Sequence, residues 1–361
     1  MTERLDALRQ SLDSLEIDAM LVTDEINVRY LTGFTGDSSY LLVGPDQATM
    51  LSDGRYEIQL ASECPSISAA IRPPSQLMMD LVKQVLGDSG YSRVGIESAV
   101  VSLSDYRKMS EKCPDISWIE TTGVVERQRM VKDDGEIATT RGAVSIAQRS
   151  FQALLPMLSP KWTERAIAHE LEAKMRFLGA ESASFKPIVG FDAAAALPHY
   201  HPAEIFMPSC GVVLIDWGAK YRGYASDITR TLSIGNVSSE FERAYQVVLA
   251  AQLAAIEAIK PGVEGKEIDK IARGVIAKAG LGDKFNHGLG HGIGLQIHES
   301  PRMSSNCEDV LTAGMIVTVE PGVYIGNEFG IRIEDDVLVT ETGCEVLTTL
   351  PKGLDDCRLV L

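Results

Sequence analysis

The sequence predicts an α+β protein of two domains, a smaller α/β unit over residues 1–125 and a larger one over residues 126–361. Three observations carry this. The chain has 361 residues, too many for one ordinary core at roughly 100–200 residues per domain. Helix-period and strand-like runs alternate as far as residue 121. A polar, charge-rich stretch, VERQRMVKDDGE at 125–136, then breaks the apolar periodicity.

The elements follow in order. Leu5, Leu8, Leu12 and Leu15 recur at helical spacing over residues 3–16, and IDAMLVT at 17–23 reads as a strand. YLLVG (40–44) and ATMLSD (48–53) are strand-like, RYEIQLASE (55–63) and QLMMDLVKQVLGD (76–88) helical. RVGIES (93–98) predicts a strand, SLSDYRKMSEK (102–112) a helix and ISWIET (116–121) a last strand. Past the polar stretch a long helical run reaches Leu155, and a second helix runs from Glu164 to Leu178. A strand and loop around 185–202, two strand pairs, helices from Ser239 to Ile259 and from Gly265 to Ala279, and a Gly/His-rich segment complete the larger domain.

Hydrophobic residues make up 45% and charged residues 23%, the balance of a globular chain with filled cores. Fifty acidic against 34 basic residues give a net charge of −16, which repels nucleic acid and anionic membrane surfaces alike. The six cysteines, at 64, 113, 210, 307, 344 and 357, form no CxxC pair and read as reduced thiols. The first twenty residues carry charges throughout, unlike a signal peptide, and no apolar stretch is long enough for a membrane span, so a cytoplasmic location is expected.

Five of the six histidines (His199, His201, His287, His291, His298) fall between 199 and 298, three of them in HGLGHGIGLQIHE. The glycines at 288, 290, 292 and 294 leave the imidazoles uncrowded and let backbone approach a ligand. Four carboxylates sit at or beside strand-like apolar runs, where an unpaired charge is costly. Asp216 ends GVVLID, Asp227 lies in GYASDITRTL, Glu320 ends MIVTVE and Glu334 lies in GIRIEDDVLV. The pairs are 11 and 14 positions apart, so two hairpins can present two acids each to one point. Singly, each acid has a structural alternative, such as Glu334 paired with Arg332 or Asp227 capping a turn. Together with an imidazole they form an oxygen-rich set suited to two divalent ions such as Mn²⁺, Co²⁺ or Zn²⁺.

The runs LIDWGAKYRGYASDITRT, HGLGHGIGLQIHESP, TVEPGVYI and GIRIEDDVLVT resemble the pita-bread metallopeptidases, specifically the prolidase and aminopeptidase P branch. NVRYLTGFTG and DGRYEIQ resemble that branch's non-catalytic amino-terminal domain, of the creatinase type, and ERQRMVKDDGEI its linker. The resemblance implies a pita-bread catalytic domain that hydrolyses Xaa-Pro bonds, as a dipeptidase or an aminopeptidase, through a hydroxide bridging two divalent metals. It implies that Asp216, His291 and Glu320 bind single ions, that Asp227 and Glu334 bridge them, and that Glu320 also shuttles the proton. By the same resemblance His298 steadies the tetrahedral intermediate, His199 and His287 lie beside the substrate, Tyr324 and Arg332 orient the ligands, and the protein is a homodimer. GFDAAAALPH departs from the family's Asn- or Ser-containing turn before LPH, Gln296 stands where an acid is frequent, and His201 matches no family role. Two alternatives stand beside this reading, a non-peptide amide hydrolase on the same fold and a non-catalytic pita-bread binding protein. HExxH, GxSxG, GxxxxGK[ST] and GxGxxG are all absent.

Overall fold

The apolar runs of the first 121 residues pair into one six-stranded sheet. In spatial order its strands are Ser68–Arg72, Ala48–Asp53, Tyr40–Val43, Ala19–Val22, Arg93–Glu97 and Ser117–Thr121. Tyr40–Val43 runs antiparallel to both neighbours and the other adjacent pairs are parallel. One apolar layer joins Leu21, Leu42, Leu51, Val94 and Ile96 to Leu81, Val82 and Leu86 of helix Met78–Ser89 and Met109 of helix Leu103–Lys112. Helix Thr2–Leu12 buries Leu5, Leu8 and Leu12.

Two elements of this unit escape the periodicity. Helix Glu25–Thr32 is set by its ends: the Asp24 carboxylate accepts the Ile26 N–H, and Gly33, at φ +79°, closes its own N–H on the Arg29 carbonyl. Strand Ser68–Arg72 is an exposed edge with no apolar alternation, formed because Ala48–Asp53 offers it a parallel ladder.

The computed structural model describes residues 2–360. Its contacts divide the chain into two compact units, Met1–Arg129 and Met130–Leu361, and the residues on either side of the expected boundary, 125 and 126, lie within a short helix, Val124–Met130. Among the described residues no helix is long and apolar enough to cross a membrane.

In the second unit Asp133 opens helix Asp134–Leu154 with a capping box, its carboxylate on the Glu136 N–H and the Glu136 carboxylate on the Asp133 N–H. Helices Glu164–Phe177 and Ser239–Ala258 start from the side-chain caps Thr163 and Ser238, and Gly265–Lys278 follows. A four-stranded sheet runs in the order Arg358–Leu359, Ile228–Ile234, Gly211–Trp217, Ile188–Phe191. A five-stranded sheet runs Glu299–Met303, Gly290–Gly292, Ile316–Val319, Asp335–Val339, Cys344–Val346. A ribbon of Gly322–Ile325 and Phe329–Arg332 lies between strands of the latter in sequence.

Period-two alternation divides these strands into a core face and a polar face. Val213, Ile215 and Trp217 join the main core with Ile228, Leu232, Val317, Val319, Val337 and Val339, and Trp217 stacks on Phe151 at 4.4 Å. The intervening positions include Asp216, Thr229, Thr231 and Thr318 beside the apolar Leu214 and Leu338, and Asp227 and Glu320 lie at the ends of these strands. Asp216 within a strand, and Asp227, Glu320 and Glu334 each next to a strand end, are thus carried by strands that anchor the core, which gives them a rigid base.

Candidate metal centre

Two strand pairings bring the acids together. Asp216 lies directly across the antiparallel ladder from Thr229, and Asp227 precedes that same strand. Glu320 and Glu334 flank the pair Val319 and Asp335, where the five-stranded sheet passes into the two-stranded ribbon. His291 sits between these sets on Gly290–Gly292, which pairs with Ile316–Val319 and with Glu299–Met303. The glycines beside it have a structural role. A Cβ on Gly290 would lie 2.1 Å from the Thr318 carbonyl oxygen, and one on Gly292 2.3 Å from that of Ser300. The backbone they admit is that of the neighbouring strands.

The result is a cavity of about 370 Å³, within the usual range for a small-ligand site. Asp216, Asp227, His291, Glu320 and Glu334 all line it, with His199, His287, His298 and Arg332. Ligand atoms of Asp227, His291 and Glu334 lie within 4.8 Å of one another. His291 Nε2 is 3.6 Å from Asp227 Oδ2 and 3.5 Å from Glu320 Oε1. Its Nδ1 faces the Gly292 carbonyl at 3.1 Å, which places the ring proton on Nδ1 and leaves the Nε2 lone pair directed at the carboxylates. Asp216 stands outside the tightest group, its Oδ2 2.5 Å from Arg332 Nη2.

Behind the acids runs a chain of fixed donors. Arg332 gives Nη2 to Asp216, Nη1 to the Tyr324 hydroxyl at 2.9 Å and Nε to Thr229 Oγ1 at 3.1 Å. Thr229 Oγ1 in turn lies 2.6 Å from Glu334 Oε2. His287 Nδ1 donates to the Gly288 carbonyl at 2.7 Å, so Nε2 accepts the Tyr324 proton at 2.9 Å. Tyr324 thus reaches the site only through His287 and Arg332. His298 packs edge-on to His291, with ring centroids 4.4 Å apart, while His199 lines the cavity from an exposed loop and His201 is exposed outside it.

Charge is out of balance here. Burial, then the charges of Glu334, Asp216 and Glu320, push the Asp227 carboxyl well above the usual range. Burial with Glu320 and Asp216 does the same to Glu334, and burial raises Glu320 to about 8. Burial lowers His291 to about 3 and His287 to about 4, so both are neutral imidazoles at neutral pH. Burial works against the Arg332 charge, but Tyr324, Asp216, Glu320 and Glu334 outweigh it and hold the guanidinium charged. One buried guanidinium cannot offset four carboxylates, and Asp216 Oδ1 and Asp227 Oδ1 are buried with no hydrogen-bond partner. Divalent cations supply the missing charge and the missing partners, so the residues fit such ions.

Sequence reasoning missed several residues of the cavity. Phe185, Ile188, Pro198 and Ile297 form apolar wall, and Arg302 and Ser304 contribute polar groups. The Arg302 guanidinium has no hydrogen bond or ion pair among the described residues. The unusual turn before His199 is a 3-10 turn, Asp192–Ala196, whose Asp192 carboxylate accepts the Val212 N–H at 2.8 Å. Its small side chains suit the close approach to strand Phe329–Arg332, where a Cβ on Gly330 would lie 1.8 Å from the Ala195 carbonyl oxygen.

Known proteins resemble this chain over nearly its whole length. Residues 138–341 match the model of metallopeptidase family M24, and residues 4–131 that of the creatinase/prolidase N-terminal domain. The Xaa-Pro dipeptidase of Pyrococcus horikoshii is 34% identical over 98% of this chain and 99% of its own. The solved Xaa-Pro dipeptidase from Bacillus anthracis superposes with a TM-score of 0.95 at 38% identity, covering 98% of this chain and 99% of that one. An X-Pro aminopeptidase structure from Thermotoga maritima gives a TM-score of 0.89 at 36% identity over 98% and 100% of the two chains.

Proposed function

The chain belongs to metallopeptidase family M24, its second unit a pita-bread catalytic domain, and from that premise we propose that it hydrolyses the bond between a residue and a following proline. The observation that carries the proposal is the convergence of five ligand-type side chains on one cavity. In this reading Asp216, His291 and Glu320 each hold one divalent ion and Asp227 and Glu334 are shared between two. The oxygen-rich donor set favours Mn²⁺ or Co²⁺ and accommodates Zn²⁺. Bound ions supply an activated water and polarise the scissile carbonyl.

The side chains do the rest. Glu320, ionised once a cation answers its charge, takes the proton of the attacking water and returns it to the leaving proline nitrogen. His298, lining the cavity and held neutral by partial desolvation and by Arg302, donates one N–H to the developing oxyanion. His199 and His287 border the substrate, with His287 fixed by Tyr324. Proline has no N–H to present to an edge strand, so recognition falls to side chains and to the apolar wall of Phe185, Ile188 and Ile297.

Arg302 favours the dipeptidase over the aminopeptidase. Its exposed guanidinium, in the wall of the cavity, makes no hydrogen bond or ion pair among the described residues and can take the free carboxylate on the proline of a dipeptide. A longer peptide carries a neutral amide at that position and forgoes the ion pair. Six unpaired cysteines suit a reducing cytoplasm, and a homodimer follows from the family resemblance. The test is a substrate-length profile on the Mn²⁺- or Co²⁺-loaded protein. Xaa-Pro dipeptides should be cleaved faster than Xaa-Pro tripeptides, and inactivity on both would overturn the peptidase assignment.

A further inference from the structure

We propose that Thr229 is a positioning residue of the metal centre, its hydroxyl fixing the Glu334 carboxylate in the orientation that receives the ions. The inference rests on the metallopeptidase reading and concerns a residue outside the ligand set.

For an ionised Glu334, donor accounting leaves one arrangement. A threonine hydroxyl has one proton to give and two lone pairs to offer. Arg332 Nε, 3.1 Å away, can only donate, so it occupies a lone pair of Thr229 Oγ1. With Glu334 ionised, as cation binding requires, its Oε2 can only accept, so the hydroxyl proton goes to it at 2.6 Å. Glu334 Oε1 takes no hydrogen bond among the described residues, so one oxygen of the carboxylate is tethered and the other is left for a cation.

The backbone holds the hydroxyl in place. Thr229 lies opposite Asp216 in the ladder, and its carbonyl accepts the Glu334 N–H at 3.2 Å, so both ends of the Thr229–Glu334 contact are tied to each other through main chain. The buried Arg230 guanidinium donates to the carbonyls of both Thr229, at 2.9 Å, and Glu334, at 2.7 Å. A β-branched side chain on a strand has few rotamers, so the place of the hydroxyl oxygen is set before any ion arrives. Through Arg332 the same hydroxyl is linked to Asp216 on the facing strand, which couples a ligand from each hairpin.

The experiment titrates metal-free wild type and the variants Thr229→Val, Thr229→Ala and Thr229→Ser with Mn²⁺ alone by calorimetry, and records the visible spectrum of each with Co²⁺. Valine keeps the shape and removes the hydroxyl, alanine removes both without crowding, and serine keeps the hydroxyl. Valine and alanine should weaken Mn²⁺ binding about 10- to 100-fold and alter the Co²⁺ bands, while serine stays near wild type. Wild-type affinity in the valine or alanine variant overturns the proposal, as does a serine variant as weak as valine. Loss of fold in both hydroxyl-free variants also overturns it, because the hydroxyl would then serve the fold and not the ion. A wild-type protein that takes up no Mn²⁺ refutes the metallopeptidase reading itself, whereas binding in wild type with equal binding in Thr229→Val refutes only the role of Thr229.

Discussion

Removing the charge of Glu320 should stabilise the metal-free protein at alkaline pH and leave it unchanged at acid pH. The unfolded carboxyl ionises near 4.5, but burial raises the folded one to about 8. Between those values the native state keeps a proton that the unfolded state has released, so stability falls as pH rises, by about 1.36 kcal/mol per pH unit. Over the whole interval this comes to about 5 kcal/mol, and below 4.5 the group contributes nothing. Against a typical stability of roughly 5–15 kcal/mol, that is a large part of the whole. Glu320→Gln removes the titration while keeping the shape. Urea unfolding of chelator-stripped wild type and variant, followed by tryptophan fluorescence, should give similar stabilities at acid pH and a variant more stable by several kcal/mol above pH 8. Saturating Mn²⁺ should stabilise wild type more at high pH than at low, because the ion takes the place of the proton. A wild-type deficit that is the same at both pH values, or larger at acid pH, would refute the reasoning.

Three further perturbations test other parts of the account. Arg302→Met should lower kcat/KM for Xaa-Pro dipeptides about 10- to 100-fold, the worth of one charged hydrogen bond, and affect tripeptides less. An equal loss on both would remove the carboxylate role. Asp227→Ala or Glu334→Ala should abolish turnover and reduce bound metal together, and activity retained in either would contradict the shared-ligand assignment. Arg230→Met strands the buried Asp335 with Lys352 and Gln252 alone, and should cost about 3–5 kcal/mol in urea unfolding. A loss below about 1 kcal/mol would show that Lys352 suffices to hold Asp335.

Much of the proposed site is legible in the amino-acid sequence because its acids stand at or beside apolar runs. Asp216 after GVVLI and Glu320 after MIVTV are anomalies of burial that the residue order alone exposes. The hairpin that presents Asp216 and Asp227 is equally local, with Thr229 opposite Asp216. What stays hidden depends on register and on distant partners. Thr229 looks like any strand threonine until the ladder aims it at Glu334, 105 residues away. Arg302 carries no local mark, since nothing near it in the chain signals that its guanidinium faces a cavity. The glycines around His291 are legible as small residues, but not as the places where three strands press together. In the first unit the hydrophobic period finds the strong elements and misses helix Glu25–Thr32, whose signal lies in its caps, and strand Ser68–Arg72, which exists only because a neighbour pairs with it.

The central claim is that Asp216, Asp227, His291, Glu320 and Glu334 together hold two divalent cations. Anomalous diffraction from crystals soaked in Mn²⁺ tests it most directly. The account predicts two peaks in the cavity, with Asp227 and Glu334 each touching both. A single peak, or ions bound away from these five side chains, would contradict it.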